Sequence, residues 1–141
     1  MGSWYVISSR PTFLEKDAFN AVETYTLLDN GVDIDIDFKF NKNSFDGPVK
    51  SIPQSGSVYN KETNSHWKVS PFWPLSFDYL IIATDPEHSW AAIGVPNQKY
   101  LWILARQATM NDEKLSSVLA SLAADGYNVS DMKRVLHKSK D

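Results

Sequence analysis

Apolar and polar residues alternate along much of this chain with the period of two that belongs to β-strands. The clearest case is residues 32–41. Val32, Ile34, Ile36, Phe38 and Phe40 share one parity, and Asp33, Asp35, Asp37, Lys39 and Asn41 share the other. Successive side chains of a strand point to opposite faces, so this segment has one apolar face and one wet face. The run before it, residues 21–28, is joined to it through Asp29-Asn30-Gly31. Asn-Gly is a hairpin signal because both residues tolerate positive φ, so the two runs are predicted to be antiparallel neighbours. In the first run Glu23 falls on the same face as Tyr25 and Leu27. The pattern therefore does not say which of its faces is inward.

Further strands are predicted at residues 3–9, 49–52, 57–60, 66–70, 77–84, 89–94 and 100–106. Pro53 to Gly56 reads as a turn, Pro71-Phe72-Trp73-Pro74 as a corner, Asp85-Pro86 as a stop and Pro96-Asn97 as another turn. Proline cannot donate to a ladder, which is what makes these residues punctuation. Eight or nine short strands at such spacing mark a sandwich or a barrel. One helix follows, at residues 112–124. Leu115, Val118, Leu119, Leu122 and Ala123 form a stripe at helical spacing that reads as a face laid on a sheet. Asn111 or Asp112 can cap its start, and Gly126 suits its end. Residues 132–136 read as a last short strand.

Composition adds mostly exclusions. A chain of 141 residues has the size of one domain. Its net charge of -3 gives no basic face for nucleic acid. No apolar run is long enough to span a bilayer as a helix. With no cysteine there is no disulfide, thiolate metal site, cysteine nucleophile or lipoprotein anchor within these residues. Aromatic residues make up 13%, with five tryptophans, and such rings either fill a core or line a ligand cavity.

Catalytic candidates are few. His66, His88 and His137 fall in separate predicted elements, so no metal site is expected. Asp33, Asp35 and Asp37 alternate along one strand and read as a solvated outer row, without the loop of a calcium hand. There is no Gly-x-Ser-x-Gly elbow. Asn128-Val129-Ser130 matches a glycosylation sequon and is taken as chance. No catalytic residue, metal or cofactor is expected.

Several motifs together resemble one family. Gly2-Ser3-Trp4-Tyr5 is similar to the first lipocalin signature, Thr84-Asp85 to the second and Arg106 to the third. The order of these motifs, with a helix straight after Arg106, is more specific than any one of them. Phe13-Leu14-Glu15-Lys16, Thr24-Tyr25-Thr26-Leu27, Asp29-Asn30-Gly31 and the run from Tyr100 to Arg106 resemble the bacterial branch, allied to plant temperature-induced lipocalins and apolipoprotein D.

The resemblance implies an all-β fold: an eight-stranded antiparallel up-and-down β-barrel with one C-terminal flanking helix and a short final strand. The barrel would span residues 3–107, the helix 112–124 and the last strand 132–136, in a single domain. It implies a cavity for a fatty acid or lysophospholipid and no enzyme activity. Trp102 is expected to face the ligand, with Tyr100 and Leu104 beside it by parity. Ile34, Ile36, Phe38 and Phe40 are expected to line the same interior. Gly2, Trp4, Tyr5, Thr84, Asp85 and Arg106 form the structural signature, with Trp4 meeting Arg106 at the closed end. Lys42 is a candidate for a ligand headgroup, at whichever barrel end its loop serves.

Bacterial members are often outer-membrane lipoproteins linked to membrane maintenance under stress. The leader, anchoring cysteine and plug segment usual before Gly-x-Trp-Tyr are missing from this sequence. The expected compartment is therefore periplasm or outer membrane if a native leader was removed, and cytoplasm if Met1 is the native start. Peripheral membrane association and a homodimer are left open. Two other readings also stay open: an enzyme on the same scaffold, with Glu23 as the reactive candidate, and a packed barrel serving as an interaction module.

Overall fold

The computed structural model describes residues 2–10, 18–58, 66–72, 75–85, 87–95, 100–130, 132–135 and 137. In chain order the elements are β1 (Gly2–Arg10), β2 (Ala18–Leu27), β3 (Asp33–Lys42), β4 (Val49–Val58), β5 (His66–Phe72), β6 (Leu75–Thr84), β7 (Trp90–Gly94), β8 (Leu101–Ala105), α1 (Asp112–Ala124) and β9 (Lys133–Arg134). Each strand from β2 to β8 pairs antiparallel with the next. β8 then pairs with β1, and β1 returns to β2, so eight strands close into an up-and-down barrel. Closure removes the unpaired edges that an open sheet would expose. β1 makes this possible by dividing one of its edges. Gly2–Tyr5 pair with β2, while Ser8 and Ser9 pair with β9, which lies outside the closed ring.

The alternation in β3 is realised in full. Ile34, Ile36, Phe38 and Phe40 are buried, and Asp33, Asp35 and Lys39 are exposed, with Asp37 between. The outer row is tied to itself: Ser51 donates to Asp37 at 2.6 Å, and Lys39 pairs with it at 3.4 Å. The β2–β3 connection is a five-residue loop rather than a two-residue turn. Gly31 takes φ +70, while the Asn30 side chain accepts the amides of Val32 at 3.0 Å and Asp33 at 2.9 Å. Asparagine thus works here as a side-chain turn.

β4 corrects the sequence reading. Pro53 to Gly56 is not a turn, because residues 49–58 form one continuous strand and Pro53 pairs with Asp37. The ladder with β5 runs only over Ser55–Val58, so Pro53 lies where that side of β4 makes no demand on its missing donor. β5 likewise runs through Pro71 to Phe72. Trp73-Pro74, Pro96-Asn97, Tyr59-Asn60, Leu136 and the Phe13-Leu14-Glu15-Lys16 motif lie outside the described residues.

Two apolar clusters share the barrel wall. One is the lumen, where Val6, Tyr25, Phe38, Trp67, Trp102 and Leu104 meet. The other is the interface with α1, where Leu115, Val118 and Leu122 cover Ile7, Ile103 and Ala105. β8 is buried at every position because its two faces serve the two clusters. The small Ala92 and Ala105 leave room for the helix to approach. Within the predicted stripe Leu119 is half-buried and Ala123 is exposed, so the contact face is narrower than the pattern suggested.

Asn111 is the cap, accepting the Lys114 amide at 2.7 Å, and Asp112 and Glu113 lie in the first turn, where the helix dipole favours acids. At the other end Gly126 takes φ +95, and Tyr127 donates back to Leu122 at 3.0 Å. Arg134 ties β9 to the helix start through Asp112, at 2.8 Å, and through the Met110 carbonyl.

Candidate functional site

The strand order sorts the loops to two ends. The β2–β3, β4–β5, β6–β7 and β8–α1 connections lie at the end where β1 begins; the β1–β2, β3–β4, β5–β6 and β7–β8 connections lie at the other.

At the first end the signature residues meet. The Arg106 guanidinium lies over the Trp4 ring, 3.8 Å from its centroid, and donates to the Ser3 carbonyl at 3.1 Å. Gly2 has φ +84, and a Cβ there would come within 3.1 Å of the Arg106 Nη1 atom. Both facts explain a glycine at that position. Trp4 is half-buried and packs on the lumen residues, so it floors the barrel with Arg106 as its outer cap. Tyr5 points to the helix side and meets His137 edge-on at 5.4 Å. The His137 imidazole donates to the Val6 carbonyl at 2.7 Å, and burial lowers its pKa.

Thr84 and Asp85 close the β6–β7 hairpin. Thr84 donates to the Trp90 carbonyl at 2.8 Å. The Asp85 carboxylate accepts the Ser89 hydroxyl and the Ser89 amide, the latter at 2.5 Å. The Ser89 hydroxyl, with the Ser89 and Trp90 amides, holds the Asp85 carboxyl below the usual carboxylate range. Lysine in place of Arg106 lacks the planar fork that stacks on the indole. Arg106→Lys is expected to lower stability by about 1 kcal/mol. Urea midpoints equal for the variant and the parent would show that this stack carries no stability.

The lumen collects the predicted interior residues. Ile34, Ile36, Phe38, Phe40, Trp102 and Leu104 are all buried in one cluster, and Tyr100 packs on it from the rim. The rings pair both along a strand and between strands. Tyr79 lies 5.0 Å from Trp102, Tyr100 lies 6.1 Å from Trp102, Phe38 lies 5.0 Å from Phe40, and Tyr25 meets Trp67 edge-on at 5.5 Å. Trp67 and Tyr79 were not singled out from sequence. Their strands showed no clear alternation, and only the β5–β6 register makes them neighbours.

The structure also settles Glu23, which is 3% exposed and turned inward. In register it stands between Trp4 on β1 and Phe38 on β3, and in-register residues share a face. The Tyr25 hydroxyl donates to its Oε2 atom. Burial pushes the carboxyl up to about 7, against the opposing effect of that hydrogen bond. Among the described residues the buried polar side chains are Ser8, Ser9 and Glu23. Leu27, two residues beyond Tyr25, is exposed at the end of its strand.

At the opposite end the lumen-facing parity of β3 continues past Phe40 to Lys42. Lys50 stands in register with Phe40 on β4, so it has the same inward parity. Both lysines are exposed. Lys42 therefore serves the end away from Trp4 and Arg106, and Lys50 joins it there. Sequence reasoning missed Lys50 because a turn at Pro53 left residues 49–52 without a register.

Among the described residues no group of three or more histidines, cysteines and acids could hold a metal ion. No helix among them is long and apolar enough to cross a membrane.

A closed eight-stranded barrel, floored by an aromatic ring under a stacked arginine and flanked by one helix, defines a class of small-molecule-binding calyces. The chain belongs to the lipocalins: the Lipocalin-like domain family matches residues 1–137. It is similar to temperature-induced lipocalin-1 of Arabidopsis thaliana, with 33% identity over 150 residues, covering 99% of this chain and 75% of that protein. It is also similar to the outer membrane lipoprotein Blc of Escherichia coli K12, with 32% identity, covering 92% of this chain and 72% of that protein. Among solved structures, lobster apocrustacyanin A1 superposes with a TM-score of 0.72 at 16% identity, covering 98% of this chain and 77% of that one, a likeness of fold. Membership implies binding of a small hydrophobic ligand.

Proposed function

We propose that this protein binds and carries one acyl-chain lipid, a fatty acid or a lysophospholipid, with its tail in the barrel and its acidic head at the mouth. One observation carries the reading: the inward face of β3 is apolar from Ile34 to Phe40, and that same face ends in Lys42, with Lys50 opposite Phe40. Ile34, Ile36, Phe38, Phe40, Tyr100, Trp102 and Leu104 are the residues proposed to touch the tail. The head stays near water because burying it unpaired would cost more than the tail gains. Each buried methylene gives about 0.8 kcal/mol, so a 16-carbon chain gains roughly 12 kcal/mol gross. Lost translational freedom and chain ordering take back several kcal/mol. A dissociation constant of about 1 μM or tighter is expected. The names of the two relatives, an outer membrane lipoprotein and a temperature-induced lipocalin, support a role in membrane maintenance under stress.

Titration with fatty acids of increasing length, followed by tryptophan fluorescence, tests this. Affinity is expected to rise with length and then level off at the depth of the barrel. Trp102→Ala is expected to change affinity and remove part of the fluorescence response. If no fatty acid or lysophospholipid binds below about 100 μM, the paired rings fill the barrel and the packed-barrel reading replaces this one.

A second reading has one observation behind it. A buried carboxyl titrating near neutrality beside a tyrosine is a composition suited to general acid–base work. Binding remains the conclusion because proton transfer also needs a group to stabilise the charge left on the substrate. The side chains in register with Glu23, Trp4 and Phe38, carry no charge with which to do so. A bound lipid recovered chemically changed after incubation, as read by mass spectrometry, would favour the enzyme instead.

A further inference from the structure

Glu23 is a lumen residue that a plain hydrocarbon tail leaves unused. It sits partway down the lumen, in register with Trp4 and Phe38, while Lys42 lies four residues beyond Phe38 along β3, about 14 Å away at the usual strand rise. The inserted end of a tail of that length, its head on the lysines, therefore arrives at Glu23, while longer tails run on past Ile36 and Ile34. Own-strand Tyr25 donates its hydroxyl proton to Glu23 Oε2, so that proton is already used. What the neutral acid offers a ligand is its own O–H, a donor that a ligand's acceptor can take. The lumen side chains on the facing strands are aromatic or aliphatic: Trp4 on β1, Phe38 and Ile36 on β3, Ile52 on β4, Trp67 on β5, Tyr79 on β6 and Trp102 on β8. Of these only Tyr79 titrates. Of the cations at the Trp4 end, Arg106 is exposed and stacked on Trp4, and Lys68 and Lys114 are exposed.

We propose that Glu23, oriented by Tyr25, is a ligand-recognition residue that donates a hydrogen bond to a neutral carbonyl oxygen near the inserted end of the chain. The preferred ligand class is thus an acyl lipid carrying a ketone or similar acceptor far from its head. This inference rests on the carrier reading and narrows it. A buried donor left unmade costs more than a made one gains, so the pair selects for the acceptor and against a bare methyl end. An amine at the same place would instead require Glu23 as a buried anion, paired by charge. The elevated titration of Glu23 makes the preference strongest below neutrality.

The test compares three probes of equal chain and head: dodecanoate, 11-oxododecanoate and 12-aminododecanoate. Binding is followed by tryptophan fluorescence at pH 6 and pH 8.5. The wild type is expected to prefer the oxo acid over dodecanoate by about fivefold at pH 6, with the preference fading at pH 8.5. Glu23→Leu is expected to reverse it at both pH values. Glu23→Gln, whose amide still donates, is expected to keep it with no pH dependence. If Glu23→Leu fails to fold, the wild-type pH profile and Glu23→Gln decide. Equal or tighter binding of dodecanoate by the wild type at pH 6 overturns the proposal and leaves the carrier reading intact. Tightest binding of the amino acid overturns it in favour of an ion pair. Failure of all three to bind removes the carrier reading and this inference together.

Discussion

Leu122→Ala is expected to lower the unfolding free energy by about 3 kcal/mol, within the range of roughly 2–5 kcal/mol typical of emptied leucine sites. Leu122 is 2% exposed and lies in the cluster that joins α1 to the outer faces of β1, β7 and β8. The wall beneath is sheet backbone whose hydrogen bonds hold it in place, so the site collapses poorly around a hole. The backbone at Leu122 also receives the amides of Asp125 and Tyr127, which anchors the end of the helix to the same spot. Leu119→Ala, on the half-buried flank, is expected to cost less. Ala123→Ser, facing water, is expected to stay within about 0.5 kcal/mol of the parent. Urea unfolding of the three variants checks this order. A helix detached from the barrel and bound to membranes would give a Leu122→Ala midpoint equal to the parent, with loss of liposome flotation instead.

Glu23→Gln is expected to be increasingly stabilising, relative to the parent, as pH rises. The folded carboxyl titrates at about 7 against an ordinary 4.5, because burial penalises its charged form. Below pH 4.5 both folded and unfolded chains hold the proton and Glu23 makes no pH-dependent contribution. Between 4.5 and about 7 the unfolded chain has released it while the folded chain retains it. Protons are then bound more by the native state, so stability falls as pH rises, and it levels off above about 7. Each pKa unit corresponds to about 1.4 kcal/mol, which makes the total loss on the order of 3 kcal/mol. Glutamine has no charge to bury and is exempt from this loss. The difference in unfolding free energy between variant and parent is expected to shift by about that amount between pH 4 and pH 8. Parallel stability curves for the two proteins would mean that Glu23 ionises normally, as it would if turned to solvent.

Much of the barrel is written in local pattern. β3 reads directly because one face touches the lumen and the other water, and a period of two records that difference residue by residue. The helix reads as directly, with its cap, its stripe and its terminal glycine all in place. The signature residues could be named from their order along the chain, although only the fold shows Arg106 stacked on Trp4. The pattern was weakest where both faces of a strand are buried. In β8, Leu101, Ile103 and Ala105 are as apolar as Trp102 and Leu104, because one set meets α1 and the other the lumen.

The sequence by itself determined the class: short alternating strands, one amphipathic helix, and a set of spaced signature residues that no other reading accommodates as well. These are local properties, set by side-chain period and by residues that start or stop an element. The tertiary structure alone decided what each strand faces. Pro53 became a strand residue because the β5 ladder begins beyond it. Lys50 reached the mouth because β4 pairs with β3 in one register and not another, and a slip of one residue would have turned it outward. Glu23 entered the lumen because β1 closes the ring onto β2 and sets Trp4 beside it. A carboxyl beside a tyrosine and a leucine carries no mark of its own burial. That depends on strands far away in sequence, and on the desolvation they impose.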